Sequence, residues 1–260
     1  MTVAILMACH DRRETTQRCL ERLFASLAAA PDVSGRVFLV DDGSTDGTAE
    51  MVGRLFPEVC VVGGDGRLYW TRGMRMAWEA AVRERRDWDG YLWLNDDVML
   101  DVDAIRRIAD ECGANSGVVV LGALREKTTG ERIYGEGSDG LFCGSCTFVP
   151  RSVFEQVGMI CGEYRHAWGD YDYAQMCRRA GVAWREIEGT VGEARSHGMR
   201  PDIAGLSLRA RWRTLFDPKG WCIADVWTYR RRNFGVLRAV SSCFHMMLHV
   251  LFAPRLPPAP

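Results

Sequence analysis

A chain of 260 residues, 47% hydrophobic and 26% charged, can bury one large core or a core with an appendage, which excludes a disordered chain and a small disulfide-stapled scaffold. Thirty-three Lys and Arg against 34 Asp and Glu leave a net charge of −1, which excludes the overall basic excess of a nucleic-acid binder. The balance is uneven, because from Arg200 onward ten Lys and Arg face three Asp, a basic tail behind an acidic body.

The first half alternates between short apolar runs and helical spacing. Residues 3–8 read as a buried strand that starts without a basic leader, and residues 14–30 as a helix with Leu20, Leu23, Phe24 and Leu27 on one face. Strands follow at 37–40, 59–62, 91–94 and 118–121, with helices at 47–56, 73–86 and 103–112 between them. Such an order predicts an α/β fold, a mostly parallel sheet with helices on both faces. The second half is less regular. Thr129-Gly130 reads as a turn between two short strands, residues 146–149 and 182–187 as strands, and residues 171–180 as a helix stopped at Gly181. The expected division is a sheet domain over 1–200, with halves of 1–122 and 123–200, and a basic helical region over 201–260. The ten cysteines are scattered, and the lone CxxC pair, Cys143 and Cys146, has no second pair; they read as buried thiols of a reducing cytoplasm. No apolar run approaches the roughly 20 residues that span a bilayer.

In an open parallel sheet, ligands bind beyond the carboxyl ends of the strands. Here the first strand is followed by Cys9-His10-Asp11, the second by Asp41-Asp42-Gly43-Ser44-Thr45-Asp46-Gly47, the third by Gly63-Gly64-Asp65-Gly66 and the fourth by Asn95-Asp96-Asp97. Any one of these clusters could be a polar turn. Four in succession predict one site on one rim.

Several stretches together resemble family-two inverting glycosyltransferases of the GT-A fold. Val40-Asp41-Asp42-Gly43-Ser44-Thr45-Asp46-Gly47-Thr48 is similar to their nucleotide-sugar segment, and Leu92-Trp93-Leu94-Asn95-Asp96-Asp97-Val98 to their DxD segment. Gly64-Asp65-Gly66 through Met74 is similar to their donor loop and the helix after it, and residues 144–158 to their acceptor-side strand and helix. Trp168-Gly169-Asp170-Tyr171-Asp172-Tyr173 resembles the Glu-Asp-x-Asp-Leu catalytic helix, and Tyr229-Arg230-Arg231-Arg232-Asn233 a stretch of the rhamnosyltransferase-like branch. The chain departs twice: the first DxD position is Asn95, and the Glu of the catalytic motif is Gly169.

The resemblance implies a transferase that moves a sugar from a nucleoside-diphosphate donor, UDP- or dTDP-linked, to a hydroxyl of a glycan or polyprenol-linked acceptor, in the synthesis of bacterial surface polysaccharide. Expulsion of the diphosphate calls for a divalent cation, Mn²⁺ or Mg²⁺, as Lewis acid. Asp97, beside Asp96, is its expected first ligand, and His197 stands where many members place a second. The acceptor must lose a proton, and Asp170 is the expected base, with Asp172 left open by spacing. The donor is expected at Cys9, His10, Asp11, Asp41, Asp42, Asp65, Gly66, Arg72, Asn95 and Asp96, with Asp41 or Asp42 accepting from a pyrimidine N3–H and Arg72 pairing with phosphate.

Along residues 236–251, Val236, Val240, Phe244, Met247, Leu248 and Leu251 fall on one helical face and Arg238, Ser241, Ser242, His245 and His249 on the other. Next to Arg230-Arg231-Arg232, that stripe reads either as a peripheral contact with the inner face of the membrane or as a face packed on the core or on a second subunit. Two other functions compete. Asn95 and Gly169 suit a nucleotide-sugar-binding module without catalysis. A sugar-phosphate nucleotidyltransferase shares the sheet logic, but the loop after the first strand lacks its glycines.

Overall fold

The computed structural model describes residues 1–85, 87–137, 140–196 and 203–252. In chain order the elements are β1 (Thr2–Cys9), α1 (Arg13–Ala28), β2 (Ser34–Asp41), α2 (Thr48–Leu55), β3 (Cys60–Gly63), α3 (Tyr69–Glu84), β4 (Gly90–Leu94), β5 (Met99–Leu100), α4 (Ala104–Ala114) and β6 (Val119–Leu121). They continue with β7 (Leu124–Glu126), β8 (Arg132–Ile133), β9 (Cys146–Pro150), α5 (Arg151–Val157), α6 (Gly169–Arg179), β10 (Trp184–Glu186), β11 (Gly192–Ala194), α7 (Leu208–Phe216), α8 (Ile223–Phe234) and α9 (Val236–Phe252).

Among the described residues, a seven-stranded sheet runs β10-β6-β9-β4-β1-β2-β3, parallel except for β9. A small second sheet, β5-β11-β7-β8, includes the β7–β8 hairpin around the predicted Thr129-Gly130 turn. Alternation along β1 divides the core. Val3, Ile5 and Met7 face Leu20 and Leu23 of α1 and Val52 of α2, whereas Ala4 and Leu6 face Met74 and Trp78 of α3. On this second face Trp78 meets Tyr91 at 5.0 Å, Trp93 at 5.7 Å and Tyr173 at 5.9 Å between ring centroids, which docks α6 on the sheet. Each such side chain contributes about 1.5–3 kcal/mol through its burial.

The C-terminal helices have a core of their own, built on Ile203, Leu215, Val226, Met246 and Val250. They are fastened to the sheet domain through α6. The Trp168 ring lies 4.6 Å from Tyr229. The fully buried Asp172 receives Arg232 at 3.2 Å and Asn233 Nδ2 at 2.7 Å.

Three sequence expectations change. Helix α3 starts at Tyr69, four residues before the predicted position, and α6 at Gly169, so Asp170 lies in the first turn of α6 and Trp168, with φ 73°, occupies the cap. The predicted strand over 182–187 is shorter, Trp184–Glu186. The third concerns α9, whose stripe was open between core, second subunit and membrane. Its buried residues are Ala239, Cys243, Met246 and Val250, while Val236, Val240, Phe244 and Leu251 of that stripe are exposed, which removes the core alternative for these four. The helix is apolar on both faces, and its inward face is the one made of smaller and more flexible side chains.

Candidate active site

Parallel pairing of β1 with β2 and β4, and of β2 with β3, carries the four predicted clusters to one rim. There most carboxylates organise backbone. Asp42 Oδ1 accepts from Gly66 N at 2.8 Å, and its Oδ2 from Leu68 N and Tyr69 N at 2.9 Å each, so one buried side chain shapes the loop and starts α3. This needs glycine at two places: a Cβ on Gly64 would come 2.7 Å from Asp42 Oδ1, and Gly66 takes a φ of 80°. Asp11 Oδ1 accepts from Thr45 N at 2.7 Å, and His10 Nδ1 donates to the Asp42 carbonyl at 2.7 Å. Asp41, also buried, accepts from Ser44 N at 3.0 Å with Oδ1; its Oδ2 takes no hydrogen bond among the described residues. Asp65 is exposed and accepts from Arg67 N at 2.9 Å.

Cys9 belongs elsewhere. Its side chain is buried in the core beside β2, burial pushes its thiol far up, and only its carbonyl reaches the rim, accepting from Asp42 N at 2.9 Å. Any donor contact of Cys9 would therefore run through its backbone. Arg72, expected to meet phosphate, donates through Nε to the Gly162 carbonyl at 3.3 Å on the acceptor side.

Asp96 and Asp97 share a cation already present in the chain. Arg12 Nη1 lies 3.0 Å from Asp96 Oδ1 and 3.0 Å from Asp97 Oδ2. Burial pushes the Asp96 carboxyl up to about 6, against the pull of Arg12. Among the described residues no group of three His, Cys, Asp or Glu is arranged to hold a metal ion, and His197 lies outside them. Arg12 went unassigned in the sequence because it sits in a polar loop distant in sequence from Asp96. An arginine just beyond a strand end, facing two adjacent aspartates on the neighbouring strand, was the available signal.

Asn95 carries the rim across to the second half of the chain. Trp70 Nε1 lies 2.7 Å from Asn95 Oδ1, and Asn95 Nδ2 lies 3.3 Å from Ser145 Oγ. An indole N–H only donates, which fixes the amide with its oxygen toward Trp70. Ser145 Oγ is 3.4 Å from Cys143 Sγ, and the intervening Gly144 donates its N–H to Asp170 Oδ2 at 3.0 Å. Asp170 Oδ1 accepts from Tyr171 N at 2.9 Å. Burial raises the Asp170 carboxyl above the ordinary range, and those backbone N–H groups offset part of the rise. A loop of three residues thus joins Asp170 to the end of β4. Asp172 points the other way, into its pair with Arg232 and Asn233. A side chain at Gly169 would collide with Thr71, which accounts for the missing Glu. His166, beside Tyr69 with 6.3 Å between ring centroids, was also missed; its Nδ1 is buried without a hydrogen-bond partner among the described residues, and burial lowers its pKa.

A family model described as Glycosyl transferase family 2 matches residues 4–180. The chain belongs to this family. No curated protein matches the sequence. Among solved structures, this family-2 chain resembles S. aureus TarS 1-349 at a TM-score of 0.61 and 10% identity, covering 96% of this chain and 81% of that one. The same TarS fragment in complex with UDP-GlcNAc gives 0.61 and 10%, over 95% and 81% of the two chains. The mannosyltransferase PcManGT from Pyrobaculum calidifontis, in complex with GDP-Man and Mn²⁺, gives 0.54 and 14%, over 97% and 81%. These likenesses identify the fold as GT-A. The glycosyltransferase family and the rim therefore agree: the matched span includes every strand end that carries the clusters, and Asp170.

Proposed function

We propose that the protein transfers a sugar from a UDP- or dTDP-linked donor to a hydroxyl of a glycan or lipid-linked acceptor, with inversion, in the synthesis of surface polysaccharide at the cytoplasmic side of a bacterial membrane. The observation that carries this reading is the connection of Asp170 to Asn95 through the loop Cys143-Gly144-Ser145, which sets one carboxylate beside the rim of the sheet. The nucleotide sugars bound by TarS and PcManGT support a donor of the same class on that rim.

Asp41 is suited to the base of the nucleotide, since it is buried and keeps one oxygen for a donor N–H. Gly64 and Gly66 let backbone approach the donor closely. Asp170 accepts the proton of the acceptor hydroxyl as its oxygen bonds to the anomeric carbon. The bond to the diphosphate breaks on the opposite face, and the electron pair leaves with the diphosphate. One base and one displacement invert the centre.

The donor set fits a divalent cation. Asp96 and Asp97 offer carboxylate oxygens on one turn and already hold positive charge between them in Arg12. Asp97 would hold the ion as first ligand, beside Asp96, with His197 as the proposed second. When bound, the ion neutralises charge on the leaving diphosphate as a Lewis acid. With the ion bound, Arg12 would release the two carboxylates, and its guanidinium suits the diphosphate.

The Asp96–Asp97 pair, half-balanced by Arg12, also suits the second reading, a binder without catalysis. A thermal-shift panel of UDP, dTDP and GDP sugars, with and without Mn²⁺, followed by donor hydrolysis in wild type and Asp170→Asn, separates the two. Stabilisation with turnover that Asp170→Asn loses supports the transferase. Stabilisation without turnover for any donor supports the binder, and no stabilisation at all overturns both.

A further inference from the structure

The outer face of α9 and its groove with α8 are apolar and uncovered. Leu237 is 87% exposed, Phe252 76% and Phe244 56%, on the side of α9 opposite its buried residues Ala239, Cys243, Met246 and Val250. Between α8 and α9 lies a groove of about 410 Å³ lined only by apolar side chains and cysteine, among them Trp227, Val240, Phe244 and Met247. Phe234, at the end of α8, is also exposed. Monomeric soluble proteins rarely leave a contiguous apolar patch of this kind without a partner.

Charge identifies the partner. The guanidinium of Arg230 lies over the Phe234 ring at 5.3 Å from its centroid, and Arg238 follows Leu237 on α9 as an exposed cation. Helix α9 contains no Asp or Glu, and the single carboxylate of α8, Asp225, is buried near Arg165. A second copy packed on this face would meet Arg230 and Arg238 with two helices that offer no exposed carboxylate to answer them. An acidic lipid surface answers both features, taking apolar side chains below the headgroups and arginines at their level. Among the described residues no helix is long and apolar enough to cross a membrane. The element suits the plane of the interface.

We propose that the α8–α9 face docks the protein on bilayers rich in anionic headgroups, with Leu237 and Phe244 inserted and Arg230 and Arg238 at the phosphate level. The face is separate from the rim, and vesicle binding is read without donor or acceptor, so its failure and the failure of the transferase reading are distinguishable.

Co-sedimentation of the full chain with phosphatidylcholine vesicles, with and without phosphatidylglycerol, tests this. The wild type is expected to bind the anionic vesicles at least tenfold more tightly than the neutral ones, and less tightly as salt rises. Leu237→Glu with Phe244→Glu, and separately Arg230→Gln with Arg238→Gln, are each expected to lower the partition coefficient about tenfold or more, with the melting temperature and nucleotide binding unchanged. Sedimentation velocity on the same samples reads the competing occupant. Absence of vesicle binding, binding that neither variant weakens, or a wild-type dimer that Leu237→Glu with Phe244→Glu dissolves overturns the proposal.

Discussion

Removal of the Arg232 guanidinium probes how the C-terminal helices hold the helix that carries Asp170. Asp172 is fully buried, and Arg232 reaches its Oδ2 through Nε and Nη2 at 3.2 Å each, while Asn233 Nδ2 reaches Oδ1 at 2.7 Å. At that separation and an effective dielectric constant near 20, the charge pair amounts to about 5 kcal/mol. The Arg232 side chain is 28% exposed, and solvent screening brings the figure to about 3 kcal/mol, the lower end of the cost of breaking a buried pair. For a chain of this size each kcal/mol moves Tm by roughly 2–4 °C, so Arg232→Met is expected to lower Tm by roughly 6–12 °C in a circular-dichroism melt. Adding Asp172→Asn removes the unpaired charge while keeping an acceptor for Asn233, so the double variant recovers part of the loss, with a coupling of at least about 1 kcal/mol. A drop under about 2 °C, or additive effects of the two changes, refutes the argument and leaves the Trp168–Tyr229 contact and the Arg165–Asp225 pair as the fastening.

Burial raises the Asp170 carboxyl, and a base works only when ionised, so kcat/KM is expected to climb with pH through that raised value and level off above it, with its acid limb above the ordinary Asp value near about 3.9. Asp170→Asn lowers kcat by about 10² or more while UDP binding, measured by calorimetry, persists; an unchanged rate excludes Asp170 as base. Asp97→Ala removes the Mn²⁺-dependent part of nucleoside-diphosphate binding, as EDTA does in the wild type, and full transfer in EDTA overturns the cation role. Arg12→Gln removes the resident cation from Asp96 and Asp97, so Mn²⁺ affinity without nucleotide rises on the order of tenfold in calorimetry; an unchanged or weaker affinity refutes Arg12 as their counter-ion.

The strands of the sheet were legible because four- to eight-residue apolar runs flanked by Gly, Asp and Asn have few other uses. The rim followed from them, since parallel pairing carries every such strand end to the same side. The starts of α3 and α6 were not legible: Tyr69 and Trp168 adopt left-handed φ values of 56° and 73° without being glycine, and no capping side chain announces either helix. Strands β5, β8 and β11 are two or three residues long, too short for alternation to register. The sequence left the α9 stripe open between membrane, core and a second subunit, because a period of 3.6 finds an apolar face without saying what it meets. Arg12 and Ser145 escaped for a different reason. Each acts through a partner about 50 or more residues away, and only register brings them together.

The number of aspartates on the rim overstates how many carboxylates are left free for a ligand. Asp42 is consumed by three backbone N–H groups, Asp11 by the Thr45 turn, and Asp46 by Arg13 N and Thr48. Those three build the floor of the site. What remains for a ligand among the described residues is Asp41 and the exposed Asp65 on one side and the Asp96–Asp97 pair on the other, with Arg12 across the pair. Asn95 belongs to the same economy of charge. A carboxylate there could accept from both Trp70 and Ser145, but it would add a third negative group to a turn whose Asp96 is already buried and raised, with one guanidinium to balance them. The amide keeps the bridge from β4 to the loop that holds Asp170 and adds no charge. The departure from the DxD pattern and the presence of Arg12 are thus one adjustment: fewer carboxylates on the turn, and a cation from the chain itself held between the two that remain.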